Sequence, residues 1–195
     1  MYTNLAPIAP QHATSCPTDL SLKDKAFQGI ASVNDSNGNT MFRIQSKRLS
    51  ISQRRWLLDS EGNVIAQLRW QKMGLIPTIY IGTHENEKKV TVKTENMLSI
   101  LKCNALITID GKKVGKVEGD WSLKKFTITI DGVEVATIGR KRTAATTFAG
   151  GETYTIGVNP KKGQPVDLAF ISLICIALDM QIHDTIPSMI AGSSK

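Results

Sequence analysis

The sequence predicts a mainly β protein, in which an antiparallel sheet of roughly ten to twelve strands closes into a barrel around one hydrophobic helix. Two patterns predict this fold. Turn signals recur between runs of alternating apolar and polar residues, and residues 166–182 then read VDLAFISLICIALDMQI, almost without polar interruption. A helix that is apolar on every side lies either in lipid or at the centre of a larger fold.

Five segments predict the hairpins of the sheet. Tight antiparallel turns need residues that accept a positive φ, and the residues Asp, Asn and Gly supply them. Such signals occur at residues 35–39 (DSNGN), 59–63 (DSEGN), 110–111 (DG) and 131–132 (DG), and a fifth turn is expected within residues 83–89 (THENEKK).

The strands alternate between apolar and polar residues. FTITI at residues 126–130 and YTIGV at residues 154–158 have one apolar and one polar face, which is typical of a strand between core and solvent. A further single strand is expected near residues 27–33. A sheet with this many strands tends to curl or close, and closure removes the exposed edges.

The hydrophobic segment favours enclosure over a membrane span. A helix over residues 166–182 would be about 25 Å long, which is shorter than the roughly 30 Å hydrocarbon layer. Asp167 and Asp179 shorten its apolar part further. Pro165 suits the first helical position, Asp167 the first turn, and Pro187 predicts a break after the helix.

The composition indicates one domain in a reducing compartment. The chain has 195 residues and a net charge of +7. Cys16, Cys103 and Cys175 form neither a disulfide framework nor a metal-binding pattern, and the amino terminus lacks the features of a secretory signal. We therefore expect a cytoplasmic protein, peripheral at a membrane or nuclear as alternatives, and not a secreted one.

The predicted organisation has three parts. Residues 1–18, which contain three prolines, are expected to form a loose amino-terminal arm. Residues 19–184 form the barrel domain with its central helix at residues 166–182, and residues 185–195 form a tail.

Several segments, taken in order, resemble the LURP-one-related family over about residues 19–184. They are SQRRWLLDSEG at residues 52–62, GDWSL at 119–123, VATIGRK at 135–141, YTIGV at 154–158, VDLAFI at 166–171 and LD at 178–179. The resemblance implies the tubby C-terminal-like fold, a twelve-stranded barrel closed around one hydrophobic helix. It implies no catalytic residues. Relatives of that fold include tubby proteins, which resemble phosphoinositide-binding adaptors, and phospholipid scramblases, which act at membranes.

The chain departs from the family pattern before the helix. Residues 161–164 (KKGQ) lengthen a connection that is usually short in the family. This puts in doubt any surface function carried over to that connection.

The sequence contains no recognisable catalytic or metal-binding pattern. His12, His84 and His183 have no partner at metal-ligand spacing. GKKVGKV at residues 111–117 has similarity to a phosphate loop, but it lacks one spacer and has Val117 where Ser or Thr would bind magnesium, so we interpret it as a hairpin turn. We expect no enzyme, no catalytic residue, no cofactor and no metal.

Basic residues are the feature of the sequence with functional content. They recur as Lys47-Arg48, Arg54-Arg55, Arg69 with Lys72, Lys88-Lys89, Lys124-Lys125 and Arg140-Lys141-Arg142. Several such side chains neutralise phosphate when they converge. The residues predicted to contact an anion are Arg54, Arg55, Arg140, Lys141 and Arg142.

These observations support a non-enzymatic binding module, a peripheral adaptor for anionic phospholipid such as phosphoinositide. A protein-interaction scaffold in stress or defence signalling, without lipid contact, is one alternative that the resemblance suggests. A scramblase-like membrane protein anchored by its last helix is another. We expect no nucleic-acid partner, although positive charge alone would permit one.

Overall fold

The computed structural model describes residues 8–25, 30–46, 54–71, 78–83, 89–95, 102–120, 124–141, 152–161 and 164–192. These ranges contain a short 3-10 turn (Pro10–His12), strands and one α-helix. The strands are β1 (Ala13–Thr14), β2 (Thr18–Lys25), β3 (Ile30–Asn34), β4 (Thr40–Ser46), β5 (Arg54–Leu58), β6 (Val64–Gln71), β7 (Thr78–Thr83), β8 (Lys89–Thr94), β9 (Lys102–Ile109), β10 (Lys112–Asp120), β11 (Lys125–Ile130), β12 (Val133–Lys141), β13 (Glu152–Val158) and β14 (Val166–Asp167). The helix, α1, spans Leu168–Gly192.

Strands β2 to β13 form a closed barrel in which every neighbouring pair is antiparallel and, except for β13 with β2, consecutive in the chain. The ring closes where β13 pairs with β2, with Tyr154 opposite Leu22. The predicted fold class is therefore confirmed. Strand β2 was not predicted, although its inward residues Leu20 and Leu22 alternate with outward polar residues.

Helix α1 lies inside the barrel. Every described side chain from Val166 to Gln181 is buried. Side chains near its middle contact Arg55 on β5, Thr94 on β8 and Tyr154 on β13, three strands that are well separated around the wall. A helix touched from three sides of a closed wall is enclosed by it. Among the described residues, no helix combines the length and apolar character that a membrane span requires.

The helix differs from the prediction at both ends. Asp167 belongs to β14 and caps the helix, because its Oδ1 accepts hydrogen bonds from the backbone N–H groups of Ala169 (2.9 Å) and Phe170 (3.2 Å). At the other end the helix continues through Pro187 to Gly192. A proline removes one backbone hydrogen bond but does not by itself end a helix.

Part of the segment that the sequence predicts as a loose arm is packed against the barrel. Strand β1 pairs with β14, and Ala9, only 1% exposed, donates its backbone N–H to Asp167 Oδ2 at 2.8 Å. The ring of His12 meets that of buried Phe42 edge-on, with centroids 5.0 Å apart. Asp167 thus joins the arm to the helix. Burial raises the pKa of its carboxyl, while these N–H donors act to lower it.

We expect Asp167→Ala to lower the free energy of unfolding by about 2 kcal/mol, because it removes a helix cap and leaves buried N–H groups without an acceptor. Asp167→Asn keeps an oxygen for Ala169 and Phe170 but presents its amide group to Ala9, so its loss is smaller. Urea unfolding of both variants measures which substitution lowers the free energy of unfolding more. Equal stability of Asp167→Ala and the parent would show that the carboxylate supports neither the helix nor the arm.

The hairpin turns lie at the predicted positions. They are of two kinds, two-residue turns and five-residue turns. At residues 110–111 and 131–132 both residues have a positive φ, which places these turns in the primed class that suits twisted strands. In the five-residue turns the first aspartate holds the loop: Asp59 Oδ1 accepts the N–H groups of Glu61 and Asn63, and its Oδ2 accepts Asn63 Nδ2 at 3.0 Å. Asp35 does the same with Asn37 and Asn39. The fifth hairpin is confirmed by the pairing of β7 with β8, although residues 84–88 lie outside the described residues.

These turns predict a loss of stability in acid. The hydrogen bond from the Asn63 side chain, with those from the backbone, lowers the pKa of Asp59 below its ordinary value of 3.8. Its charge therefore stabilises the fold above that value, and the contribution disappears as the pH falls through the lowered pKa. We expect the urea midpoint of Asp59→Asn to fall less between about pH 6 and about pH 2 than that of the parent. Glu134→Gln, which removes the same charge at an exposed position outside the turn, is the control; an equal effect of both would contradict the prediction.

Candidate functional site

The two ends of the barrel are chemically different. Because consecutive strands are antiparallel, the described turns at residues 35–39, 59–63, 110–111 and 131–132 all lie at one end, here called the turn end. Helix α1 begins at this end, after β13, and runs toward the other. The described acidic side chains at the turn end are Asp19, Asp35, Asp59, Glu61, Asp110, Asp131 and Glu134, and they outnumber the exposed lysines of that end, Lys112, Lys113 and Lys161.

The opposite end, here called the basic end, carries exposed basic side chains around its whole circumference. Each comes from a different strand and lies within three residues of that strand's end: Lys23 (β2), Arg54 (β5), Arg69 (β6), Lys93 (β8), Lys102 (β9), Lys125 (β11) and Lys141 (β12). We call this set the basic ring. Two described acidic residues, Glu95 and Asp120, lie at the same end, and Asp120 is the register partner of both Lys102 and Lys125. The sequence pairs had not indicated Lys23, Lys93 or Lys102, which have no basic neighbour. The feature of the sequence that could have identified these three lysines is their position at an outward-facing site close to a strand end.

Arg54 and Arg69 are placed side by side. They are register partners on β5 and β6, and both are exposed. Directly opposite residues have Cβ atoms about 4.5–5.5 Å apart, and like charges in this arrangement are destabilising. Neither arginine forms a salt bridge with a described residue. An anion between the two guanidinium groups would remove their repulsion.

Arg55 faces the opposite side of its strand and enters the barrel. Its Nη1 lies 3.5 Å from Asp179 Oδ2 on α1, and the side chains are 22% and 1% exposed. Tyr154, also buried, donates its hydroxyl to Asp179 Oδ1 at 2.9 Å. Two residues further on, Gln181 accepts a hydrogen bond from Thr94 and donates one to the carbonyl of Val92. Arg55 therefore contacts the helix.

The other residues predicted to contact an anion are also divided between the outer surface and the interior of the barrel. Lys141 is exposed and belongs to the basic ring, whereas Arg140, one residue earlier, lies on the side of β12 that faces the interior and is opposite Tyr154. Arg142 lies outside the described residues. Of the five predicted contacts, the structure brings Arg54 and Lys141 to the outer surface of the same end.

The sequence that folds into this barrel matches a known protein family. A family model described as LURP-one-related matches residues 18–179, which is most of the chain. The chain belongs to the LURP-one-related family. The matched segment includes every barrel strand and the part of α1 that ends at Asp179.

Similar proteins share this LURP-one-related assignment. Protein LURP-one-related 10 of Arabidopsis thaliana is 30% identical over 197 residues, which cover 93% of this chain and 99% of the relative. Protein LURP-one-related 15 of the same plant is 26% identical over 187 residues, covering 88% and 83%. An X-ray structure of another Arabidopsis thaliana protein superposes with a TM-score of 0.64 at 21% identity, covering 90% of this chain and 98% of that one. This likeness shows the shared fold.

Two of the described cysteines of this LURP-one-related protein are buried in the barrel. Burial raises the pKa of the Cys103 thiol to about 12, and burial, with Asp179 nearby, raises that of Cys175 well above its ordinary value, so neither gives an appreciable thiolate near neutral pH. Among the described residues no group of His, Cys, Asp and Glu could hold a metal ion. The segment 111–117 forms the start of β10, after the turn at Asp110 and Gly111.

Proposed function

We propose that this protein is a non-enzymatic binding module, a peripheral adaptor whose basic end docks on a membrane surface containing anionic phospholipid, phosphoinositide in particular. The observation that supports this proposal is the basic ring. Its side chains come from strands all around the barrel, so they surround one end and do not converge on one pocket. A ring of this kind suits an extended anionic plane, because a small ligand would meet only one sector.

The excess of positive charge at the basic end and of negative charge at the turn end orients the molecule. Each Lys or Arg close to an anionic leaflet contributes about 1 kcal/mol of attraction, which decays within a Debye length of about 10 Å. The acidic side chains of the turn end lie at the far end of the barrel, where the potential of the leaflet is largely screened, so the leaflet repels them only weakly. The neighbouring guanidinium groups of Arg54 and Arg69 add a site where a phosphate relieves like-charge repulsion.

The proposal places the protein on the cytoplasmic side of a membrane. The free thiols of Cys103 and Cys175, both buried, support a reducing compartment. A protein-interaction scaffold that uses the same end for an acidic partner is the alternative that the experiment below separates.

Sedimentation of the purified protein with liposomes tests the proposal. The vesicles contain phosphoinositide, phosphatidylserine or neutral lipid only, and each is used at physiological and at high salt. We expect selective binding to phosphoinositide that weakens as salt rises. The double charge reversal Arg54→Glu with Lys141→Glu should remove most of the binding. Lys112→Glu with Lys113→Glu makes the same charge change at exposed positions of the turn end and should leave binding largely intact.

The outcomes separate the candidate functions. Equal losses in both double variants would mean that net charge, and not the basic ring, causes adsorption. Binding to no vesicle of any composition would overturn the lipid proposal, and a protein partner that survives detergent would then support the scaffold.

A further inference from the structure

A groove runs over the outer wall of the barrel, beside the basic ring, where β11, β12 and β13 lie next to one another. It has a volume of about 260 Å³ and is lined by residues that include Lys125, Thr137, Gly139, Thr155 and Gly157. This is smaller than the roughly 300–1,000 Å³ of sites for drug-sized molecules. The groove therefore has room for a small polar group.

Two glycines create the groove. Gly139 is opposite Thr155, and Gly157 is opposite Thr137, so each missing side chain leaves a threonine hydroxyl uncovered. A Cβ on Gly139 would stand 3.4 Å from Thr155 Oγ1, and one on Gly157 would stand 3.3 Å from Thr137 Oγ1. The floor of the groove thus consists of backbone and hydroxyl groups.

The hydroxyls of Thr155 and Thr137 differ in the hydrogen bonds that they can make to a ligand. Thr155 Oγ1 already donates its hydrogen to the carbonyl of Gly139 at 3.1 Å, so it can only accept a further hydrogen bond. The Thr137 hydroxyl has no hydrogen-bond partner among the described residues, so it can donate one. A group that carries several hydroxyls, each able to donate and to accept, would match these two threonines.

Three exposed lysines surround the end of the groove nearer the basic end. Lys125 is in register with Gly139, while Lys141 and Lys23 are both in register with Thr153, one row closer to that end. The diagonal between Lys125 and Lys141 is about 7–8 Å, and Lys141 and Lys23, two strands apart, are separated by about 10 Å. Long lysine side chains on this spacing reach a common point above the groove.

The position of Asp19 orients any ligand. Its Oδ1 lies 3.6 Å from the place of a Cβ on Gly157, at the end of the groove nearer the turn end. A phosphate is repelled from that end and drawn toward the lysines. A neutral polar group attached to the phosphate would occupy the part near Gly157.

We infer that this groove is a binding site for a phosphate monoester carried on a small polyhydroxylated group, the chemistry of a phosphorylated inositol headgroup. The inference rests on the proposed docking of the basic end on a membrane, and it adds one discrete site to the general attraction of the ring. A phosphomonoester carries up to two negative charges and several acceptor oxygens, which the three lysines can satisfy. The Thr137 hydroxyl, in register with Gly157, can donate to the polyhydroxylated group.

Amide NMR spectra of the full chain, titrated with soluble inositol trisphosphate, with inorganic phosphate and with unphosphorylated inositol, test this inference. We expect the trisphosphate to shift the amide signals of Gly139, Thr155 and Gly157 most, phosphate to shift them weakly, and inositol to leave them unchanged. Gly139→Ala fills the groove at an ordinary contact distance and should weaken binding at least about tenfold. Lys125→Gln should weaken it about tenfold through loss of a charged hydrogen bond.

Matched controls share the chemistry of each variant but lie elsewhere. Gly82→Ala adds a methyl group at another exposed strand glycine, with no atom within 4 Å of the new Cβ, and Lys113→Gln removes an exposed lysine of the turn end. Both should bind the trisphosphate as the parent does. Because Lys125 is exposed, Lys125→Gln gives a test even if Gly139→Ala folds poorly.

The outcomes separate this inference from the proposed function. Shifts spread over the whole basic end, or binding unchanged by both groove variants, would overturn the groove while vesicle binding still supported the adaptor. Groove binding of the trisphosphate without binding to any vesicle would keep the site, assign it to free phosphorylated ligands, and overturn the adaptor.

Discussion

Gly119→Ala is expected to lower the free energy of unfolding by about 3 kcal/mol, because the barrel has no space for a side chain at this position. Gly119 lies on β10 opposite Phe126 of β11. An added Cβ would overlap the carbonyl oxygen of Lys125 and stand 2.8 Å from Phe126 Cα and 2.7 Å from Phe126 Cδ1. Two of these are backbone atoms, so relief requires β11 to move away from β10.

The movement is costly because Phe126 is fixed on its other side. Its ring is 1% exposed within the core, and its backbone pairs with Ile138 on β12. Shifting β11 therefore disturbs two ladders and the packing inside the wall. The urea midpoint of the variant measures the loss.

Gly82→Ala is the control for the stability measurement. This glycine is also inside a strand, but nothing lies within 4 Å of its added Cβ. The change should be within about 0.5 kcal/mol of the parent. Equal unfolding curves for the two alanine variants would show that β10 and β11 are not as close as the structure has them.

The local parts of the fold could be predicted because their causes are local. A turn such as Asp110-Gly111 is determined by the φ values that its own residues accept. The strand alternation of residues 126–130 likewise reports burial on one face without any knowledge of the neighbour. The enclosed helix followed from the absence of a polar face, since no surface position suits such a segment.

The closure of the barrel depends on contacts that local patterns do not contain. Residues 18–25 pair with residues 152–158, and nothing in either segment indicates the other. Strand β2 was missed because its two inward leucines stand among Asp19, Lys23 and other polar residues. The cap by Asp167 was missed for a related reason, since it depends on β14 and on the arm that pairs with it.

The candidate site could be predicted in composition but not in arrangement. Basic residues that are adjacent in a strand point to opposite faces, so Arg54 and Arg55 were taken as one cluster but separate into a surface and an interior residue. Residues far apart in sequence, such as Lys23 and Lys141, come together only through the register with Thr153. A prediction that used strand parity and strand ends would have selected more of the basic ring.

Arg54 and Arg55, which are adjacent in the chain, give the second large expected effect on stability. We expect Arg55→Leu to lower the free energy of unfolding by about 3 kcal/mol, because it removes one ion pair from the carboxylate of Asp179, which is 1% exposed. Arg54→Leu removes an exposed charge that has no carboxylate partner among the described residues, so its stability should stay within about 0.5 kcal/mol of the parent. Both variants replace an arginine by leucine, at adjacent positions. Urea unfolding measures the difference in their free energies of unfolding.

Vesicle binding should respond in the opposite order. Arg54→Leu removes a member of the basic ring and should weaken sedimentation with phosphoinositide vesicles, whereas Arg55→Leu, measured below its unfolding temperature, should bind as the parent does. Adding Asp179→Asn to Arg55→Leu removes the buried charge that lost the ion pair with Arg55, so this double variant should be more stable than Arg55→Leu alone. If the second substitution gave no recovery, the cost of losing Arg55 would lie in its packing, and the ion pair with the helix would not be what holds α1 at this depth of the barrel.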